Sequence, residues 1–421
     1  MIFDYADFAC TEIINSVRAA TYSQLYCLPI ECDACPELPC ALDHGDLQAD
    51  PYEPYTDPAT DEAPWYDPAV PASADVLGFM GLDVTGFHSS TISRTPIPLV
   101  GDGSALGIAR RAHRVITYTV LMIVRDECAL SYGLEWMAAA LTGCCEDGCD
   151  GAELGVFACC PECEGCDAMR YLYNVGLLEG PTVESLEYLS DGILARITYS
   201  LIAGTPWIYR NPIAASETWY DLTAGTVVVT DPDTVYDECE GAADCLEDPD
   251  CPSPPSIVRV PVPVDPCYPT GSATFLRTVI SIPTTDVPNR LDMVPVLELD
   301  VGATDLRRLV VRFRSSLTGA DCADALLDPC SVCADLQIPF LPAGSKLVVD
   351  GRTQRATVEC ETELVGTSTT SPPLYGAQGD AFQWPVFQCP EGMCIEILTT
   401  QASTGAGTMA RVLMVTRSDA G

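Results

Sequence analysis

A chain of 421 residues is long enough for two or three domains and a sizeable core. Its 60 acidic residues face only 21 basic ones, a formal net charge of −39. No Lys or Arg lies between Arg18 and Arg94, and none between Arg210 and Arg259, so the surface repels phosphates and anionic lipid, excluding stable nucleic-acid or basic-patch membrane binding.

No early basic segment precedes an apolar run, and no apolar run is long enough to span a bilayer. The expectation is a soluble protein made in the cytoplasm. Its 23 cysteines conflict with that compartment. The conflict disappears if the protein leaves the cell inside a particle released by lysis. The single Lys346 against twenty Arg, with abundant Ala, Asp, Pro and Val, suggests a GC-rich genome.

The opening ACTEIINSVRAATYSQLYCL reads as a short helix or strand with Ile13, Ile14, Val17 and Tyr22 as its apolar residues. Residues 43–74 are rich in Pro and Asp without helical or strand period, and so form a loop. Within it APWYDP sets Trp65 and Tyr66 between prolines. Large aromatics in an acidic loop need a covering surface, either their own domain or a neighbouring subunit. RVITYTVLMIV (114–124) alternates as a strand, with Ile116, Tyr118, Val120 and Met122 on one face. DECALSYGLEWMAAALTG follows as a helix, with Leu130, Leu134, Met137 and Leu141 at helical spacing and Gly143 as its stop. Residues 169–212 predict two or three more strands, with turns at Glu179–Pro181 and Asp191–Gly192.

A Pro-, Asp- and Cys-dense stretch over 231–269 predicts a semi-rigid linker. Beyond it LRRLVVRFRSS sets Leu309, Val311 and Phe313 on one face and Arg308, Arg312 and Arg314 on the other. SKLVVDGRTQRATVECETEL predicts two strands joined at Asp350–Gly351, and GMCIEILTT and ARVLMVTRS the last two. The fold class expected is mainly β with one or two helices, ending in an antiparallel sandwich. The domains expected are 1–230, with the acidic loop and a Cys-rich insert over 144–166, the linker 231–269, and 270–421.

Catalytic signals are sparse. His44, His88 and His113 are few for catalysis, and none stands beside a Ser or Cys in a recognised nucleophile motif, although a triad is set by space rather than sequence distance. GDGSALG (101–107) lacks the spacing of a dinucleotide loop and the Lys of a P-loop, and reads as a turn. There is no nucleophile elbow and no HExxH. An enzyme is not expected, and no cofactor beyond a possible zinc ion.

Zinc rests on CCEDGCDGAELGVFACCPECEGC. Cys144, Cys145, Cys149, Cys160, Cys163 and Cys166 include CxxC units that suit tetrahedral thiolate ligation. The spacing matches no common zinc ribbon, however, and cysteines continue along the chain. Cys32, Cys35, Cys40, Cys159, Cys239, Cys245, Cys251, Cys267, Cys322, Cys330, Cys333, Cys389 and Cys394 fall mostly in loop or linker sequence, as do the insert cysteines. That distribution favours disulfide staples over zinc, with at least one thiol left over from an odd count.

YTDPATDEAPWYDPAVPASADVLGF, RRAHRVITYTV, CALSYGLEWMAAALTG, RYLYNVGLLEGP and AGTPWIYRNP, in that order and spacing, resemble minor tail proteins of long-tailed (siphovirus) phages infecting actinobacteria. IPFLPAGSKLVVDGRTQRATV and FQWPVFQCPEGMCIEI continue the likeness, which covers most of the chain and looks most like a distal tail protein. The resemblance implies an N-terminal tail-tube-like β domain and a C-terminal galectin-like sandwich. It implies a virion component, a homo-oligomeric and typically hexameric ring joining the tail tube to the tail tip or baseplate, and no catalytic residues. It also resolves the cysteine conflict through oxidation in the released virion. A second reading is a receptor-binding module in which the C-terminal sandwich holds host glycan, with Trp384 as the one late tryptophan. A third, a cell-wall hydrolase, has no motif behind it.

Overall fold

The computed structural model describes residues 4–25, 28, 55–89, 92–143, 151–157, 169–229, 274–283, 291–315, 322–327, 332–362, 366–376, 381–387 and 392–419. They are mainly antiparallel β-structure, as expected, with helices of ten, sixteen and six residues. The chain forms two units, Met1–Asn211 with Arg417–Gly421, and Pro212–Thr416. The expected linker 231–269 lies outside the described residues.

The first unit opens with strands β1 (Tyr5–Phe8) and β2 (Thr11–Asn15) and helix α1 (Ser16–Leu25). The opening segment is thus both strand and helix. Asn15 makes the change, its side chain accepting the Arg18 backbone N–H at 3.0 Å. Strand β3 (Val76–Thr85) packs under α1. At Gly78, whose φ is +126°, a Cβ would lie 3.0 Å from the Ala19 Cβ, so this close approach requires glycine.

The chain then leaves the sheet in short paired segments, β4 (Ile92–Ser93), β5 (Pro96–Pro98), β6 (Ser104–Leu106) and β7 (Arg110–Arg111). It returns as β8 (Arg114–Val124), where the residues predicted to face inward are buried. Helix α2 (Glu127–Thr142) is capped by Asp126, which accepts the Ala129 N–H at 2.8 Å, and ends at Gly143 with φ 80°. Its fully buried stripe is Ala129, Gly133, Met137 and Leu141, while Leu130 and Leu134 flank it half-buried. Small residues on that stripe let the helix sit close to the sheet; the Gly133 Cα position leaves no room beside Met122 Sδ.

Strands β9 (Ala152–Phe157), β10 (Met169–Tyr188), β11 (Ile193–Ala203) and β12 (Ile208–Pro212) complete the unit. The sheet runs β2-β1-β9-β10-β11-β8-β3, with β12 also on β10. The expected turn at Glu179–Pro181 does not form. β10 runs through it, absorbing Gly180 and Pro181 as irregularities in its pairing with β11. The turn before Ile193 is where the sequence placed it, with Leu189 N–H bonded to Gly192 O.

The second unit contains β13 (Tyr220–Asp221), β14 (Thr226–Val229), β15 (Thr274–Ile282), β16 (Asp292–Asp300) and β17 (Leu306–Ser315). Helix α3 (Cys322–Leu327), β18 (Val332–Leu341), β19 (Lys346–Asp350), β20 (Arg355–Thr362), β21 (Gly366–Thr370), β22 (Met393–Thr400) and β23 (Met409–Ser418) follow. One sheet runs β14-β15-β22-β17-β18 and the other β13-β23-β16-β19-β20-β21. Ile280, Val311 and Ile395 of the first share one core with Leu297, Leu347 and Val412 of the second, so the unit is a sandwich. β19 and β20 are joined by four residues rather than at Asp350–Gly351 itself. Asp350 accepts the Arg352 N–H at 2.8 Å, and Gln354, not Gly351, takes the positive φ of 57°.

Two arginines of β17 are buried on the face away from that core. Leu309, Val311 and Phe313 do enter the core, but Arg312 and Arg314 on the opposite face are 1% and 3% exposed. That face carries its own cover. Arg314 donates to Ala325 O of α3 at 3.2 Å and to Glu396 of β22 at 3.0 Å, and the Glu396 side chain is fully buried.

Candidate interaction surfaces

Most of the cysteines singled out in the sequence lie outside the described residues. These are Cys32, Cys35, Cys40, Cys144, Cys145, Cys149, Cys159, Cys160, Cys163, Cys166, Cys239, Cys245, Cys251, Cys267, Cys330 and Cys389. Cys322 and Cys394 form a disulfide with Cα atoms 5.5 Å apart across 72 residues. It ties α3 to β22, beside the buried Arg314–Glu396 pair. Cys333 is exposed on β18, and Cys10, Cys128 and Cys360 carry thiols. Among the described residues, no three His, Cys, Asp or Glu side chains are placed to hold a metal ion. No helix among them is long and apolar enough to cross a membrane.

Trp65 and Tyr66 are taken up by their own unit, the first of the two alternatives open in the sequence. Trp65 is 2% exposed, donates from Nε1 to Val76 O at 2.8 Å, and meets Tyr22, Phe79 and Trp136 edge-on at 5.5–6.4 Å. Tyr66 packs half-buried on the same core. The acidic side chains of the loop act locally. Asp61 accepts from the Tyr22 hydroxyl at 2.8 Å and from Thr56, which pins the loop to α1. Burial pushes the Tyr22 hydroxyl well above its ordinary pKa, with the Asp61 bond adding to the shift, so it stays a donor. Trp384 packs half-buried against Phe382 at 5.1 Å and against the second core.

Among the described residues, two runs of exposed apolar side chains stand out, both in the first unit. One is the excursion between β3 and β8, called the arm below. β4 pairs β7 and β5 pairs β6, giving a narrow two-stranded ribbon. Ile92, Ile97, Leu99, Val100, Leu106 and Ile108 are all exposed along it, Leu106 at 74% and Ile108 at 83%. Sequence reading treated 101–107 as a turn; Gly101–Gly103 bends at the ribbon tip, but Ser104–Leu106 is strand β6. The apolar residues around it were the missed signal.

The root of the arm is fixed by Arg114, which is 1% exposed. Its guanidinium donates to Gly86 O at 3.0 Å, Ser89 O at 2.8 Å, Phe87 O, Pro206 O at 3.0 Å and Asp419 O at 2.7 Å. Five main-chain carbonyls thus take the place of a counter-ion, and burial pulls the Arg114 pKa below its ordinary value, opposed by the Asp419 charge. Next to it Arg111 and Arg417 lie over the Trp207 ring at 4.6 and 4.0 Å, and Arg111 Nε is 3.3 Å from Asp419.

The other surface is the second half of β10. β9 pairs β10 over Met169–Val175, with β12 on the other side at Tyr171 and β11 from Val175 onward, but Glu179–Tyr188 pairs only β11 among the described strands. Leu178, Val183, Leu186 and Tyr188 are exposed along this open edge, as are Glu179, Glu184 and Glu187. Glu184 is 3.1 Å from Arg196 on β11.

No protein-family model matches the chain, and no curated protein matches it. Among solved structures it is similar to SPP1 Dit (gp 19.1), described as a paradigm of the hub adsorption apparatus in Gram-positive infecting phages. The identity is 12%, over 80% of this chain and 92% of that one, with a TM-score of 0.35. It is also similar to a chain of the phage P2 baseplate in its activated conformation with Ca, at 9% identity over 82% of this chain and 92% of that one, with a TM-score of 0.40. With TM-scores below 0.5, neither likeness carries an argument about this chain.

Proposed function

We propose that the chain is a structural virion protein at the distal end of a phage tail, where copies of it form a ring between the tail tube and the tail tip or baseplate. The ordered segments from YTDPATDEAPWYDP to FQWPVFQCPEGMCIEI resemble minor tail proteins of that kind. In this reading 1–230 is the tail-tube-like ring domain, 231–269 the linker and 270–421 the galectin-like sandwich. The partners are other copies of the chain, the tube protein and the tip proteins, in a hexamer.

The observation that carries the assembly is the open edge Glu179–Tyr188. Ten residues of strand with apolar side chains and one edge unpaired among the described strands are a liability in a monomer, because they template pairing with any other strand. A permanent neighbour removes that liability. A net charge of −39 also suits a conduit for DNA, since an acidic lumen does not retain phosphate.

Native mass spectrometry of the full chain tests the reading. A closed species of six copies is expected, and its subunit masses also report bridged cysteines or bound zinc. A monomer at every concentration up to about 100 µM, where even weak specific interfaces populate, overturns it.

A further inference from the structure

We propose that the ring closes by the arm of one copy adding as a ribbon to the Glu179–Tyr188 edge of the next. The proposal rests on the ring reading and names its contact.

Charge selects the partner. Residues 86–113 hold Arg94, Arg110 and Arg111 against the single carboxylate Asp102, in a chain where acids outnumber bases 60 to 21. Arg94 and Arg110 are exposed, whereas Arg111 is engaged at the root. The edge presents the complement. Glu179 and Glu187 carry no ion pair among the described residues, and they stand among Val183, Leu186 and Tyr188. An apolar, basic ribbon therefore meets an apolar, acidic edge, both on the same molecule, and a second copy of this chain supplies each with what it lacks.

Backbone chemistry selects which side of the ribbon docks. β5 carries Pro96 and Pro98, which lack N–H groups and block that side. The other side, Ser104–Arg111, has no proline. On the receiving strand Pro181 offers no N–H, so the stretch that can pair is Thr182–Tyr188, with the Glu179 charge flanking it. At about 3.3 Å per residue these stretches are roughly 26 and 23 Å long, a match in length.

Topology selects a ring rather than a pair. In the order β3-β8-β11-β10, the arm springs from the β3/β8 side and the acceptor is on the opposite edge. A contact between two different surfaces of identical chains is head-to-tail, and closes into a ring when the rotation allows.

The test is reciprocal charge reversal in the full chain, read by native mass spectrometry and analytical ultracentrifugation, with circular dichroism as the check on folding. Arg94→Glu/Arg110→Glu and Glu179→Arg/Glu187→Arg should each weaken subunit association roughly tenfold to a hundredfold. Mixed in equal amounts, they should recover it, because the reversed arm of the first suits the reversed edge of the second, and the native arm of the second suits the native edge of the first. The recovered ring should alternate the two chains. Variants that assemble like the native chain overturn the proposal while leaving the ring reading intact. Variants that dissociate and do not recover on mixing also overturn it. A native chain that never assembles overturns both.

Discussion

The two units bury an arginine by opposite means. In the first, Arg114 is 1% exposed and held by carbonyls from three separate stretches, Gly86–Ser89, Pro206 and Asp419. In the second, Arg314 is 3% exposed and faces a carboxylate, Glu396, which also lies 2.7 Å from Arg277. A guanidinium in the interior needs its donors satisfied and its charge opposed. Carbonyl dipoles do both diffusely and bind distant main chain together. A carboxylate opposes the charge in one place, and Arg314 gives main chain only the bond to Ala325 O among those described. The difference follows position, since Arg114 stands at the root of the arm and Arg314 beneath the disulfide-tied α3.

Removing each partner set shows how differently they hold. Arg114→Met leaves the carbonyls of Gly86, Phe87, Ser89, Pro206 and Asp419 without this donor, Phe87 O in a buried place and the others in half-buried ones. The expected loss is about 3–5 kcal/mol, seen as a lower denaturant midpoint, with new protease cleavage within 86–113 as the arm root loosens. No single second substitution should rescue it, because the orphaned groups are main chain. A midpoint within about 0.5 kcal/mol of the native chain sinks the idea that this arginine ties the root.

Glu396→Leu should cost about 3 kcal/mol by leaving Arg314 buried without its counter-charge. Here one further change should help: adding Arg314→Met is expected to return stability to within about 1 kcal/mol of the native chain, because a compact apolar pair can replace a buried ion pair. If the double variant is as unstable as the single one, the two units do not differ in the way described.

This contrast also marks how far the sequence could be read. The alternation of Arg114–Val124 and the stretches GMCIEILTT and ARVLMVTRS gave strands because period-two burial needs only local pattern. The Gly143 stop delimited the end of α2 for the same reason, whereas the Asp126 cap emerged only in the fold. Burial of Arg312 and Arg314 was not legible, because the cover on that face comes from α3 and the counter-charge from β22, 82 residues away. Gly180 and Pro181 looked like a turn, yet pairing with β11 carried the strand through them. Trp65 was legible as an aromatic needing cover, but not which cover, since Tyr22, Phe79 and Trp136 meet it only in the fold. Of the two surfaces used for the proposed ring, the arm was visible only as a glycine-rich turn, and the open edge only after the pairing of β10 was known.

The smallest expected effect concerns a buried charge of the other sign. Asp7 on β1 accepts the Gly155 N–H at 3.1 Å, so, like Arg114, it leans on main chain rather than on an opposite charge. Burial raises its pKa, and the Gly155 bond only partly opposes this. With the folded value above the unfolded one, the folded chain keeps a proton that the unfolded chain has already lost. The contribution of Asp7 to stability is therefore full below the ordinary carboxylate range and disappears as pH rises through its raised folded value. Asp7→Asn keeps an oxygen to accept from Gly155 and removes the charge. It also removes a repulsion that helps hold the Glu12 carboxyl above its ordinary value, after the larger effect of burial. At pH 7 the variant should melt no more than about 2 °C higher than the native chain, and the difference should shrink as pH falls toward 4. Melting curves of both chains from pH 4 to 7.5 decide it. A difference that grows toward acid would mean that the Gly155 bond outweighs burial, and that main chain alone stabilises an anion here as well as it does a cation at Arg114.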